Sequence, residues 1–124
     1  MKRIFCLLLP IFLSACDSGV EWNNESYEVI WIDTHNNRSL NYKIEEGESI
    51  GRVGAEIIAV GSNHKYIVAK QKDISTGAIL FYYIDRQKDH KYYNWNDITQ
   101  GPFSEKKYNQ IQSELDLPEF TKKF

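Results

Sequence analysis

Val53-Gly-Ala-Glu-Ile-Ile-Ala-Val60, then Gly-Ser-Asn-His at 61–64, Lys65-Tyr-Ile-Val-Ala-Lys70 and, beyond a polar loop at 73–77, Ala78-Ile-Leu-Phe-Tyr-Tyr-Ile-Asp85 make up the stretch that decides the fold. Each apolar run is six to eight residues of β-branched, aliphatic and aromatic side chains, and glycine, serine, asparagine or aspartate separates the runs. Runs of that length between turn residues read as strands, and connections this short join them as hairpins in an antiparallel meander. The runs are apolar on both parities: Ile57 and Ala59 face opposite to Ile58 and Val60, and Phe81 and Tyr83 opposite to Leu80 and Tyr82. A sheet wet on one side would alternate cleanly. Both faces of this one therefore need a cover.

One cover is a helix at the C-terminal end. Ser104 is a good N-cap, Phe103 before it can staple to Tyr108, and Glu105 suits the first turn. Tyr108, Ile111 and Leu115 recur as a narrow apolar stripe, Pro118 ends the helix, and Phe120 and Phe124 can anchor the tail. The other cover is the N-terminal half. Residues 27–33 form a strand, 34–38 a turn, and 40–44 a second strand with Leu40, Tyr42 and Ile44 on one face. The sheet curves, or a small second sheet closes over it. The expected class is α+β: an antiparallel meander of about five strands, as a curved sheet or small barrel, with one C-terminal α-helix packed on it. Residues 86–102 have no clear period and carry at most a short edge strand at 91–95.

Ahead of this domain, Lys2 and Arg3 precede an apolar run at 4–12 that ends in Leu13-Ser14-Ala15-Cys16. A basic start, a short apolar core and small residues at the end form a secretory leader, too short for the ~20 residues of a spanning helix. Leu13-Ser14-Ala15-Cys16 resembles the lipobox of bacterial lipoproteins. The resemblance implies removal of residues 1–15, diacylglycerol on the Cys16 thiol and usually a further N-acyl chain, which anchor firmly where one chain does not. Asp17 resembles the enteric signal that retains a lipoprotein in the inner membrane, so the inner membrane is favoured over the outer, with the domain facing the periplasm. Residues 16–26 then read as lipidated N-terminus and tether, and 27–124 as a single globular domain. The mature part is also similar to small bacterial lipoproteins classed as domains of unknown function. The carrying residues are 57–60 with 65–70, Tyr82-Tyr83-Ile84-Asp85, and Gly101-Pro102-Phe103-Ser104. That similarity implies fold and compartment and transfers no active site.

Removing residues 1–15 leaves 109 of 124 residues, with 13 basic against 17 acidic ones once Lys2 and Arg3 are gone. This mild acidity argues against nucleic acid and against a basic membrane-hugging surface, and it fits a basic protein partner. The chain has two cysteines, Cys6 in the leader and Cys16, so no thiol remains for a disulfide, a thiolate metal site or a nucleophile. His35, His64 and His90 stand in turns without a second ligand at metal spacing. Gly51-Arg52-Val53-Gly54 lacks the Lys-Ser/Thr of a phosphate loop and reads as a flexible turn. No catalytic set, metal site or cofactor beyond the covalent lipid is expected.

Two groups of residues are candidates for partner contact. Glu45, Glu46 and Glu48 form an acidic loop, and Tyr92, Tyr93 and Trp95 are aromatics hard to bury together. The expected role is therefore non-enzymatic binding of another protein, a toxin or enzyme, in the manner of an immunity or inhibitor protein. The alternative is a carbohydrate or peptidoglycan contact module in which Tyr92, Tyr93 and Trp95 stack on sugar rings. A third reading is a small hydrolase using Asp33 and His35.

Overall fold

The computed structural model describes residues 17–45 and 47–124. The leader expected at 1–15, the expected lipidation site Cys16 and the expected contact residue Glu46 lie outside the described residues. The elements run β1 (Ser18–Asn24), β2 (Tyr27–Ile32), β3 (Thr34–Glu45), β4 (Glu48–Val53), β5 (Ile57–Ser62), β6 (Tyr66–Lys72), β7 (Ile79–Asp85), α1 (Trp95–Ile98), β8 (Gln100–Phe103), α2 (Glu105–Leu115) and β9 (Lys122–Lys123). They form a four-stranded sheet, β1-β2-β3-β4, and a five-stranded sheet, β8-β7-β6-β5-β9. All pairings are antiparallel. The class is α+β as expected. Both sheets are open, so the barrel alternative does not hold, and the strands exceed the five read from the sequence.

The second sheet has two dry faces, as expected, but an irregularity between Ile57 and Ala59 brings Ile57 and Val60, read from the sequence as facing opposite ways, into the same core. Tyr66, Val68 and Phe81 point to α2 and pack with Tyr108, Ile111 and Leu117. Ile57, Val60, Ile67, Ala69 and Ile84 point the other way and meet Tyr27, Val29, Leu40 and Val53 of the first sheet. The cover on that face is thus a small second sheet, one of the two solutions the sequence allows.

The N-terminal half departs from its expected boundaries in four places. The stretch read as a tether forms β1, whose Trp22 packs on the inter-sheet core. The turn expected at 34–38 contracts to Asp33 in the left-handed region (φ 71°), and β3 starts at Thr34. Gly51-Arg52-Val53-Gly54 is largely strand: β4 carries Gly51 to Val53, paired with β3. The run at 53–60 is two strands, Val53 closing β4 in one sheet and Ile57 opening β5 in the other. The half-buried Ala55 and Glu56 cross between the sheets, where Glu56 N donates to Lys72 O (3.2 Å) and Lys72 N to Glu56 O (2.8 Å). An apolar run has no internal mark for a change of sheet when both sheets share one core.

At the C-terminal end Ser104 caps α2, its Oγ accepting from Lys107 N (3.2 Å). The helix stops at Leu115, before the Pro118 boundary, because Asp116 adopts the left-handed conformation (φ 57°). That turn buries Leu117 and leaves Leu115, expected in the apolar stripe, 36% exposed. Phe120 packs on Phe81 and Tyr108, and Phe124 packs on the inter-sheet core. No strand forms at 91–95; the edge strand is β8, which pairs with β7.

The tail lies so close over β5 that a Cβ on Gly61 would stand 1.9 Å from Glu119 O. Gly61→Ala should therefore destabilise by about 1–3 kcal/mol or more, as overpacked cores do, in urea unfolding. Gly54→Ala, with nothing within 4 Å of the new Cβ, should change stability by less than about 0.5 kcal/mol.

Candidate functional site

The inner face of the first sheet is consumed by the core, and its outer face is open. On β2, Tyr27 and Val29 point inward while Glu28 and Ile30 point outward. Opposite Glu28 and Ile30 on β1 stand Asn23 and Val20. Together with Lys43, Ser49 and the β1 start these residues line a shallow groove of about 710 Å³. Its apolar floor is Val20, Ile30 and Ile32, and its charged groups are Asp17, Glu28, Asp33, Glu45 and Glu48 against one lysine, Lys43. Lys43 Nζ is engaged with Asn23 Oδ1 (2.7 Å). Two of the three predicted acidic contact residues, Glu45 and Glu48, thus join Asp17 just before β1, Glu28 of β2 and Asp33 of the β2–β3 turn. On the opposite face of β1, a Cβ on Gly19 would meet the Trp31 indole nitrogen at 2.8 Å and force that ring to shift.

The predicted aromatic contact residues are dispersed instead of forming a platform. Tyr93 stacks on His90 (centroids 3.8 Å apart) and packs on the inter-sheet core. Trp95, 57% exposed, lines a mostly apolar cleft of about 430 Å³ with Val53, Tyr82 and Pro102. Tyr92 is 81% exposed and lines neither that cleft nor the one beside Tyr93. The cause is local: Asn94 N donates to Asp97 Oδ2 (2.9 Å), and α1 follows with Ile98 buried. The resulting turn sends neighbouring rings in different directions.

What holds this loop is a buried ion pair that sequence reading missed. Arg52 Nε and Nη2 donate to Asp89 Oδ2 and Oδ1 at 2.9 and 2.8 Å, and both side chains are 0% exposed. Tyr27 Oη donates to the same carboxylate (2.7 Å), and Arg52 also reaches His90 O (3.2 Å). The guanidinium lies 5.1 Å from the Tyr42 ring centroid, and Thr99 Oγ1 donates to Arg52 O (2.9 Å). Burial, and then the hydrogen bond to Asp89, push the Tyr27 hydroxyl well above the usual tyrosine range. The available signal was an arginine between Gly51 and Val53, in a run otherwise destined for the core.

The candidate pair Asp33 and His35 is not joined. His35 Nδ1 meets Glu21 Oε2 (3.2 Å), and its ring stacks on Trp31 (4.1 Å). Glu21 also accepts from Arg38 Nε. That bond to Arg38 is the main reason the Glu21 carboxyl is held below the usual range; His35 adds to it and desolvation opposes it. Among the described residues no group of three or more His, Cys, Asp or Glu could hold a metal ion, and no helix is long and apolar enough to cross a membrane.

Removing one partner of a buried, hydrogen-bonded pair strands the other charge, so Asp89→Ala should destabilise by about 3–5 kcal/mol in chemical unfolding. Arg52→Leu with Asp89→Leu should recover part of that loss, giving a favourable coupling in a double-mutant cycle. A depressed carboxyl stabilises the fold above its unfolded value of about 4.3 and loses that contribution as pH falls through its folded value. Arg38→Ala should therefore move the Glu21 NMR titration midpoint up toward about 4.3. Comparison with protein-family models, with curated proteins and with solved structures finds no match for this chain.

Proposed function

We propose that this chain is a lipid-anchored, periplasm-facing protein without enzymatic activity that binds another protein, in the manner of an immunity or inhibitor protein. The observation that carries the binding role is the outer face of the first sheet, where five carboxylates and one engaged lysine surround a floor of Val20, Ile30 and Ile32. Surface complementarity of this kind selects a basic partner, speeds encounter and weakens with salt. The apolar floor supplies the area that exposed ion pairs, worth about 0–1 kcal/mol each, do not. The anchor rests on Leu13-Ser14-Ala15-Cys16, with Asp17 favouring the inner membrane. The sugar-binding alternative draws less support, since Tyr93 and Trp95 line separate clefts and Tyr92 lines neither. The hydrolase reading draws least, since His35 is engaged by Glu21.

In mass spectra of protein isolated from membranes, residue 16 should be N-terminal and carry the mass of a diacylglyceryl cysteine. An unmodified thiol or an intact Met1 overturns the anchor. Deleting the gene should sensitise cells to one basic toxin, and a Glu28→Lys, Glu45→Lys, Glu48→Lys variant with unchanged circular dichroism should fail to restore protection. If the deletion leaves every neighbouring toxin harmless, or the triple variant protects fully, this binding role is wrong.

A further inference from the structure

Two contacts show that the sheets of the sandwich run lengthwise together. At one end the β1–β2 turn meets the β5–β6 turn through Arg86, which pairs with Glu25 Oε1 (2.6 Å) and donates to Asn63 O (2.7 Å). At the other end Arg38 lies over the Phe124 ring (5.1 Å), whose backbone N donates to Ile58 O (3.0 Å). The β6–β7 hairpin tip, residues 73–78, projects at this second end, because Lys72 pairs with Ile79 there while Tyr66 pairs with Asp85 at the first.

The chain enters the fold at the same second end. Ser18 pairs with Ile32, and Asp17 is tied by its carbonyl to Asp33 N (2.9 Å). Asp17, the residue next to the proposed lipid site, is thus held by the sheet itself. Of the exposed large aliphatic residues, Ile32 at the end of β2, Ile74 on the hairpin tip at 76% exposure and Ile79 at its neck lie here, with Val20 further along β1, while Leu115 lies at the first end beside Asp85. Ile74 owes its exposure to a turn built to present it. Asp73 Oδ1 accepts from Ser75 N (3.0 Å), Asp73 Oδ2 from Thr76 Oγ1 (3.2 Å), and Gly77 N donates back to Asp73 O (2.7 Å). Those bonds also occupy the one carboxylate of the tip. Lys72, Lys122 and Lys123 are exposed at this end, opposed by the exposed Asp17 and Asp33 and the half-buried Glu56.

We propose that this end of the sandwich docks on the lipid bilayer, with the 73–78 hairpin inserting Ile74 between headgroups as a second point of attachment beside the anchor. The inference rests on lipid attachment at Cys16, which brings this end to the surface. It adds an orientation: a lipid anchor alone lets a domain tumble, whereas two points fix its long axis across the surface normal or along it, here along it. The lysines at this end are offset by Asp17, Asp33, Glu56 and Asp73, so the contact rests on the aliphatic tip and not on attraction to anionic headgroups. An aliphatic tip at the boundary gains the burial that water denies it.

The full chain, purified from membranes with its Cys16 lipid verified by mass, is reconstituted into vesicles of phosphatidylethanolamine and phosphatidylglycerol. An environment-sensitive maleimide dye is placed on Ile74→Cys or, as the control at the far end, on His64→Cys. The dye at 74 should shift to the blue and resist iodide quenching severalfold better than the dye at 64. Dyes equally quenched, or equally protected, in a sample whose Cys16 carries lipid overturn the hairpin contact and leave the anchor standing. A chain whose Cys16 is found without lipid overturns the anchor and the contact with it.

Discussion

The Arg52–Asp89 pair is the constraint on which the rest of the molecule depends. Two fully buried charges from distant parts of the chain are acceptable only with every hydrogen-bonding position engaged. Asp89 receives two guanidinium bonds and the Tyr27 hydroxyl, and Arg52 adds the His90 carbonyl and the Tyr42 face. Moving β4 by one residue would turn Arg52 outward and leave Asp89 unpaired in the interior. The pair therefore sets the register of the first sheet's edge, and through His90 and Tyr93 it sets the course of the loop into α1. Its contribution lies in specifying one arrangement more than in net stabilisation, because desolvation offsets much of the Coulomb attraction.

From that register the layering follows. The second sheet is dry on both sides, between α2 and the first sheet, and the first sheet is dry on one. The remaining wet face collects carboxylates from four segments that are far apart in sequence. Such a face is stable in solution because water solvates each charge separately. The face is short of cations, which the proposed basic partner would supply.

The N-terminal geometry bears on both proposals. With β1 starting at Ser18, the fold begins directly after Asp17, the residue that follows the proposed lipidation site. A partner on the outer face would then meet a domain held close to the bilayer in a set orientation, and not one swinging on a tether. Less orientational freedom means a smaller entropic loss on binding.

The middle meander, its two dry faces, the capped C-terminal helix and the folded-back Phe120 and Phe124 were legible in the chain, because hydrophobic parity and capping are local signals. The leader and Leu13-Ser14-Ala15-Cys16 are local signals of the same kind. Tertiary structure decided the rest. It alone made a strand of the polar residues 18–24, since pairing with β2 satisfies their backbone where their side chains promise no burial. It also split the run at 53–60 between two sheets and sent Arg52 inward, because the carboxylate that makes that burial tolerable lies 37 residues away. Glu45 and Glu48 could be read as an acidic loop. That they share a face with Asp17, Glu28 and Asp33 depends on strand register, which no local stretch of sequence contains.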